Sequence, residues 1–121
     1  MKKILVAEDD KFLANALRVK FTKASFEVKL VTDGVEAIEA LKTFTPDVIL
    51  LDLIMPKKDG FEVLKELRGN QNWKNIPVVV ASNLGQKEDA DKAKSLGARE
   101  YLVKTDLSIG EIVEKVKTLA R

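Results

Sequence analysis

Five short strand-like stretches, each followed by apolar residues at helical spacing, constrain the fold more than any other feature of the sequence. Three are continuous apolar runs, Ile4–Ala7, Val48–Leu51 and Pro77–Ala81, and the other two are Phe26–Val31, which we call the second run, and the short stretch Glu100–Val103. Continuous apolar runs predict strands buried on both faces, whereas the partial alternation in the second run predicts an edge strand. Strands that alternate with helices favour a parallel sheet covered on both faces. We therefore expect an α/β, flavodoxin-like (βα)5 doubly wound fold with strand order 2-1-3-4-5.

The stretches between the runs carry helix signals of unequal strength. The first helix has an apolar stripe made of Phe12, Leu13, Ala16, Leu17 and Phe21. Asp33, Asp59 and Ser108 are each followed three residues later by glutamate, which is the spacing of a capping box. The fourth helix, Gln86–Leu96, has a weak apolar stripe that consists of Ala90, Ala93 and Leu96. We expect this helix to be loosely held and its amides to exchange faster than those of the other helices.

Composition narrows the class of protein. A length of 121 residues fits one domain, which we expect to span residues 1–121. A net charge of +2 is too small to indicate nucleic-acid binding by this domain. Cysteine and histidine are both absent, which excludes thiolate metal sites, imidazole-ligated zinc and Ser-His-Asp catalysis within the chain. The acids at positions 8–10 interrupt the first apolar run, so neither a signal peptide nor a membrane segment is expected, and we expect a cytoplasmic protein.

Polar side chains stand at the carboxyl ends of four predicted strands. Glu8 and Asp9 follow the first strand, Asp52 the third, Ser82 the fourth and Lys104 the fifth. Ligands of such sheets bind outside the carboxyl ends of the strands, where the winding reverses. We therefore expect these side chains to surround one pocket.

The residue types in this pocket suggest phosphoryl chemistry. Three carboxylates together repel one another unless a cation offsets their charge, and oxygen ligands favour Mg²⁺. A carboxylate beside such a cation can attack phosphorus, so Asp52 is the candidate phosphoryl acceptor. Lys104 would supply a positive charge to a phosphoryl oxygen, and Ser82 a hydroxyl donor.

The full set of residues resembles a receiver domain of two-component response regulators, of the chemotaxis-regulator type. The matching residues are Glu8-Asp9, Asp52, Met55-Pro56, Gly60, Ser82, Tyr101 and Lys104. The resemblance implies phosphorelay signalling, in which Asp52 takes a phosphoryl group from a histidine kinase or phosphotransfer protein. It also implies that Mg²⁺ is held by Glu8, Asp9, Asp52 and the backbone carbonyl of Ile54.

The resemblance further implies a switch. Ser82 would move toward the phosphoryl group and Tyr101 would turn inward. This would change a surface formed by the fourth helix, fifth strand and fifth helix, which binds a downstream protein or output domain. The domain would catalyse only its own phosphorylation and dephosphorylation. It would bind neither nucleic acid nor membrane directly, and would be a monomer or a phosphorylation-linked dimer.

Some positions depart from the family pattern. Lys104 is followed by Thr105 where the family usually has proline, which leaves the isomer of that peptide open. Asn83 replaces a smaller residue and is expected to narrow the entrance to the pocket. Ile54 and Leu84 are apolar where many relatives are polar, and these positions tune the access of water in the family. We therefore predict slow self-dephosphorylation.

Other functions fit the sequence less well. A phosphatase that forms an aspartyl intermediate would require an acidic residue two positions after Asp52, where this chain has Ile54. A flavodoxin-like FMN carrier would require a phosphate-binding loop rich in hydroxyl residues and glycine after the first strand, where this chain has Glu8-Asp9-Asp10. The nearest alternative is a receiver-like interaction domain that is never phosphorylated.

Overall fold

Strands and helices alternate throughout residues 1–120, which are the residues that the computed structural model describes. The strands are β1 (Lys2–Ala7), β2 (Phe26–Val31), β3 (Val48–Leu51), β4 (Val78–Ser82) and β5 (Glu100–Val103). The helices are α1 (Lys11–Lys23), α2 (Gly34–Leu41), α3 (Gly60–Arg68), α4 (Lys87–Ser95) and α5 (Ile109–Leu119). A short 3₁₀ turn, Lys104–Asp106, which the sequence did not predict, follows β5.

The strands form one parallel sheet in the order β2-β1-β3-β4-β5, so the predicted flavodoxin-like fold is confirmed. Alternate residues of each strand point to opposite faces. Ile4 and Val6 of β1 pack with α1 and α5, whereas Leu5 packs with α2 and α3. The core is therefore two apolar layers, one on each side of the sheet.

The phase of α1 differs from the predicted stripe. Phe12 is 91% exposed, and the helix instead buries Ala14, Leu17 and Phe21. The Asp10 side chain caps the helix by accepting from the backbone N–H groups of Phe12 and Leu13. Residues 14, 17 and 21 share the face of the helix that lies against the sheet, and Phe12 lies on the opposite face. The inclusion of Phe12 in the apolar stripe of this helix was therefore wrong.

The predicted capping residues all cap, with one variation. Asp59 and Ser108 form complete capping boxes at α3 and α5. Asp33 caps α2, but the Glu36 carboxylate accepts from the backbone N–H of Thr32 at 2.7 Å rather than from that of Asp33. Within residues 1–120, none of the helices has the length and apolar character needed to span a bilayer.

Candidate functional site

Asp52 lies at the end of the central strand β3, directly after its last apolar residue. Its backbone N–H donates to the Ala7 carbonyl of β1 at 3.0 Å, and its side chain is almost fully buried. The first residue of α3, Gly60, packs against this strand end, where an added Cβ would lie 2.5 Å from the Asp52 carbonyl oxygen. A glycine is therefore required for the chain to return so closely to Asp52.

Two further carboxylates, which follow the end of β1, lie close to Asp52. Glu8 is 3% exposed, and its backbone N–H donates to Val31 of β2 at 3.0 Å. Asp9 is exposed. One carboxylate oxygen from each of Glu8, Asp9 and Asp52 lies within 4.8 Å of the other two. This all-oxygen set suits a small divalent cation such as Mg²⁺.

Lys104 lies between two of these acids. Its ammonium group donates to Asp52 Oδ2 at 3.0 Å and to Glu8 Oε1. The side chain of Lys104 is only 10% exposed, so the ion pairs are shielded from water. The pairing with Glu8 was not anticipated, because no local spacing connects residues 96 positions apart.

Burial and pairing shift two pKa values in this cluster. Burial raises the pKa of the Glu8 carboxyl, although hydrogen bonds from Lys104 and the Asp10 backbone offset part of the effect. Burial alone would lower the pKa of Lys104. The hydrogen bond to Glu8 and the charge of Asp52 outweigh it, so the pKa of Lys104 is raised. Lys104 is therefore charged at neutral pH and neutralises part of the acidic cluster.

Ser82 and Tyr101 form a second group beside the acids. Ser82 is fully buried at the end of β4, and its hydroxyl accepts from the Leu84 backbone N–H at 3.2 Å. The Tyr101 hydroxyl donates to the Leu84 carbonyl at 2.6 Å. Burial, together with the charges of Asp89 and Asp52, raises the pKa of the Tyr101 phenol. Both side chains thus contact the segment that connects β4 to α4.

An open cleft of about 540 Å³ gives access to Asp52 and Lys104. Ile54, Asn83 and Thr105 also line the cleft, whereas Ser82, as the structure describes it, does not. Ile54 is 56% exposed, and its backbone N–H donates to Asp52 Oδ1 at 3.3 Å. The Lys104–Thr105 peptide is trans, since residues 1–120 contain no cis peptide.

The structure therefore brings together Glu8, Asp9, Asp52 and Lys104 as expected, whereas Ser82 is fully buried and does not line the cleft. Residues 4–117 match the family model of the response regulator receiver domain. The chain belongs to the response-regulator receiver family. Members of this family are the receiver domains of two-component response regulators, which signal by phosphorylation.

Individual relatives agree with this assignment. The DNA-binding dual master transcriptional regulator RpaA of Synechocystis is 32% identical over the whole chain, which covers 50% of that protein. The chain thus spans about half the length of the curated relatives it matches. The receiver domain of Francisella response regulator 1452 is 37% identical, with a TM-score of 0.90 and coverage of 99% and 97% of the two chains. The Mn²⁺-bound form of response regulator Rcp1 is 30% identical, with a TM-score of 0.86 and coverage of 98% and 93%.

Proposed function

We propose that residues 1–121 form a single receiver domain in which Asp52 accepts a phosphoryl group from the phosphohistidine of a histidine kinase or phosphotransfer protein. The observation that carries the proposal is the meeting of three carboxylates and one buried lysine at the carboxyl end of the sheet. A carboxylate that only caps a helix or ends a strand does not need two further carboxylates and a buried lysine beside it. The membership of the receiver family supports the same reaction.

The carboxylates of Glu8, Asp9 and Asp52, with the backbone carbonyl of Ile54, would hold Mg²⁺. The fit rests on the donor set, which offers only oxygen atoms, three of them close together. The Mn²⁺-bound form of the similar regulator Rcp1 supports a divalent cation in this fold. When bound, Mg²⁺ would offset the charge of the carboxylates and of the phosphoryl oxygens, so that two anions can approach.

The chain's own residues perform the transfer. A carboxylate oxygen of Asp52 attacks phosphorus, the P–N bond of phosphohistidine breaks, and its electron pair remains on the imidazole nitrogen. The product is an acyl phosphate on Asp52. Lys104, already 3.0 Å from Asp52 Oδ2, can then donate to a phosphoryl oxygen. A movement of Ser82 toward the same group would let its O–H donate there, and it would break the contact in which Ser82 Oγ accepts from the Leu84 N–H.

The output of the reaction is a change of surface. Ser82 and Tyr101 both contact Leu84, so a movement of Ser82 toward the phosphoryl group would disturb the bond between Tyr101 and the Leu84 carbonyl. Tyr101 could then turn inward and alter the surface formed by α4, β5 and α5. A downstream protein or an output domain would read this surface.

The mass of the intact protein tests the proposal. Incubation with phosphoramidate, whose P–N bond resembles that of phosphohistidine, should add one phosphoryl group when Mg²⁺ is present. Excess EDTA should slow the reaction by about a hundredfold or more, the scale on which loss of an electrostatic stabiliser acts. If rapid quenching detects no added mass with Mg²⁺, the chain is instead a receiver-like interaction domain that is not phosphorylated.

The exposed side chain of Ile54 predicts a long-lived phosphoryl group. Ile54 lines the cleft and cannot hydrogen-bond to an attacking water, whereas asparagine at this position could orient one. We expect Ile54→Asn to lose its phosphoryl group faster than the wild type, on the order of tenfold or more. Decay of the phosphorylated mass after removal of phosphoramidate measures this rate. Val35→Asn, a similar change at an exposed residue of α2, should leave the rate unchanged, and equal lifetimes for all three proteins would contradict the prediction.

A further inference from the structure

Helix α4 is attached to the rest of the domain by unusually few side chains. Six of its nine residues are charged, and Ala93 is the single residue of α4 that is buried. Its N-cap, Gln86, makes no side-chain capping bond. The ion pair between Lys87 and Asp91 joins two residues of the helix itself. Any contact from α4 to a neighbouring helix therefore has a large share in fixing its position.

One such contact joins α4 to α3. The Lys92 ammonium lies over the Phe61 ring, 4.2 Å from its centroid. Among the hydrogen bonds, ion pairs and cation–π contacts of residues 1–120, this is the one that connects a side chain of α4 to another element. Phe61 is half-buried and packs against the core, so the position of the ring that Lys92 contacts is itself fixed by packing.

Phe61 is also tied to the phosphoryl acceptor through the backbone. Its neighbour Gly60 donates from its N–H to the Leu53 carbonyl at 2.9 Å. The backbone of Gly60 also lies so close to the Asp52 carbonyl that a Cβ at this position would clash with it. The segment Asp52–Leu53, the start of α3 and the ring of Phe61 thus form a continuous packed path that ends at Lys92 of α4. This path does not pass through Ser82 or Tyr101.

We propose that Phe61 and Lys92 are positioning residues that hold α4 in its resting arrangement and oppose the change of surface produced by phosphorylation. The inference rests on the proposed function, because it concerns the regulation of the same site. A cation–π contact at a solvent-accessible position is strong enough to bias a two-state equilibrium by about two- to fivefold. Weakening the contact should favour the phosphorylated arrangement and, by linkage, tighten the binding of any ligand that favours it.

The test measures the affinity of the protein for BeF₃⁻ with Mg²⁺, a complex that mimics an acyl phosphate on a carboxylate. We expect Lys92→Met, which keeps the side-chain length but removes the charge, to bind BeF₃⁻ about two- to fivefold more tightly than the wild type. Phe61→Leu should give a similar gain, and the double variant no more than either single variant. Lys94→Met makes the same change of charge at another exposed position of α4 and should leave the affinity unchanged.

Hydrogen exchange of the unliganded variants separates this inference from the proposed function. Loss of the contact between Lys92 and Phe61 should raise the hydrogen-exchange rates of α4 amides by about two- to fivefold in Lys92→Met. Lys94→Met should leave these rates unchanged. If the wild type fails to bind BeF₃⁻, the proposed function fails, and the exchange data alone decide whether the contact holds α4. If the wild type binds BeF₃⁻ but Lys92→Met matches Lys94→Met in both affinity and exchange, the proposed role of Phe61 and Lys92 is wrong.

Discussion

Asp52→Asn should abolish phosphorylation by phosphoramidate in the presence of Mg²⁺. The substitution keeps the size of the side chain and an oxygen that can accept from the Ile54 N–H, but it removes the carboxylate that attacks phosphorus. Loss of the attacking group of an enzyme costs on the order of 10⁴-fold or more in rate, so the phosphorylated mass should fall below detection. Intact mass spectrometry after a fixed incubation gives the measurement.

Asp59→Asn is the matched control for this substitution. Asp59 lies in the same connection between β3 and α3, where its side chain caps α3 by accepting from the Glu62 N–H at 2.9 Å. Asparagine caps a helix about as well as aspartate, so this variant should fold normally and be phosphorylated at the wild-type rate. Retention of phosphorylation in Asp52→Asn would assign the acceptor to another residue and refute the proposed role of Asp52.

Lys104→Met should strongly destabilise the protein in buffer without divalent cations. Lys104 is the shared counter-ion of Glu8 and Asp52, and the three side chains are 10%, 4% and 7% exposed respectively. Removing one partner of a buried ion pair leaves uncompensated charge and typically costs about 3–5 kcal/mol in the free energy of unfolding. Urea denaturation with EDTA measures this loss. Added Mg²⁺ should restore part of it, because a cation bound to the folded acidic cluster stabilises the folded state.

The pH dependence of the Lys104 contribution follows from the direction of its pKa shift. The pKa of Lys104 is raised in the folded protein, so its stabilising contribution is fully present below the pKa of the unfolded state. That contribution is lost as the pH rises through the folded pKa in the alkaline range. The stability difference between wild type and Lys104→Met should therefore be full at neutral pH and shrink at strongly alkaline pH.

Lys42→Met shows whether this effect is specific to the buried pair. Lys42 pairs with Glu39 at 2.7 Å, but both side chains are about as exposed as ordinary surface residues. Such pairs contribute only about 0–1 kcal/mol, so this variant should unfold close to the wild type and should not respond to Mg²⁺. A Lys104→Met variant as stable as Lys42→Met, with or without Mg²⁺, would show that Lys104 does not balance the acidic cluster.

The sequence was sufficient to predict the fold and most of the residues around the cleft, because both follow from local patterns. A continuous apolar run such as Val48–Leu51 predicts a strand that is buried on both faces of a parallel sheet. Parallel strands bring their carboxyl ends to one edge, so Glu8, Asp52 and Lys104 could be placed together without coordinates. The capping residues Asp59 and Ser108 act within a few residues of themselves and were equally predictable.

What depends on the packing of distant elements could be found only in the tertiary structure. The rotation of α1, which exposes Phe12, depends on how the whole helix fits against the sheet rather than on its own periodicity. Lys104 contacts Glu8 because β5 and β1 end on the same cleft, and Ser82 faces Leu84 because of how the chain leaves β4. The contact of Lys92 with Phe61 likewise requires the relative placement of two helices. Periodicity and spacing report the neighbours of a residue along the chain, whereas these contacts are made across it.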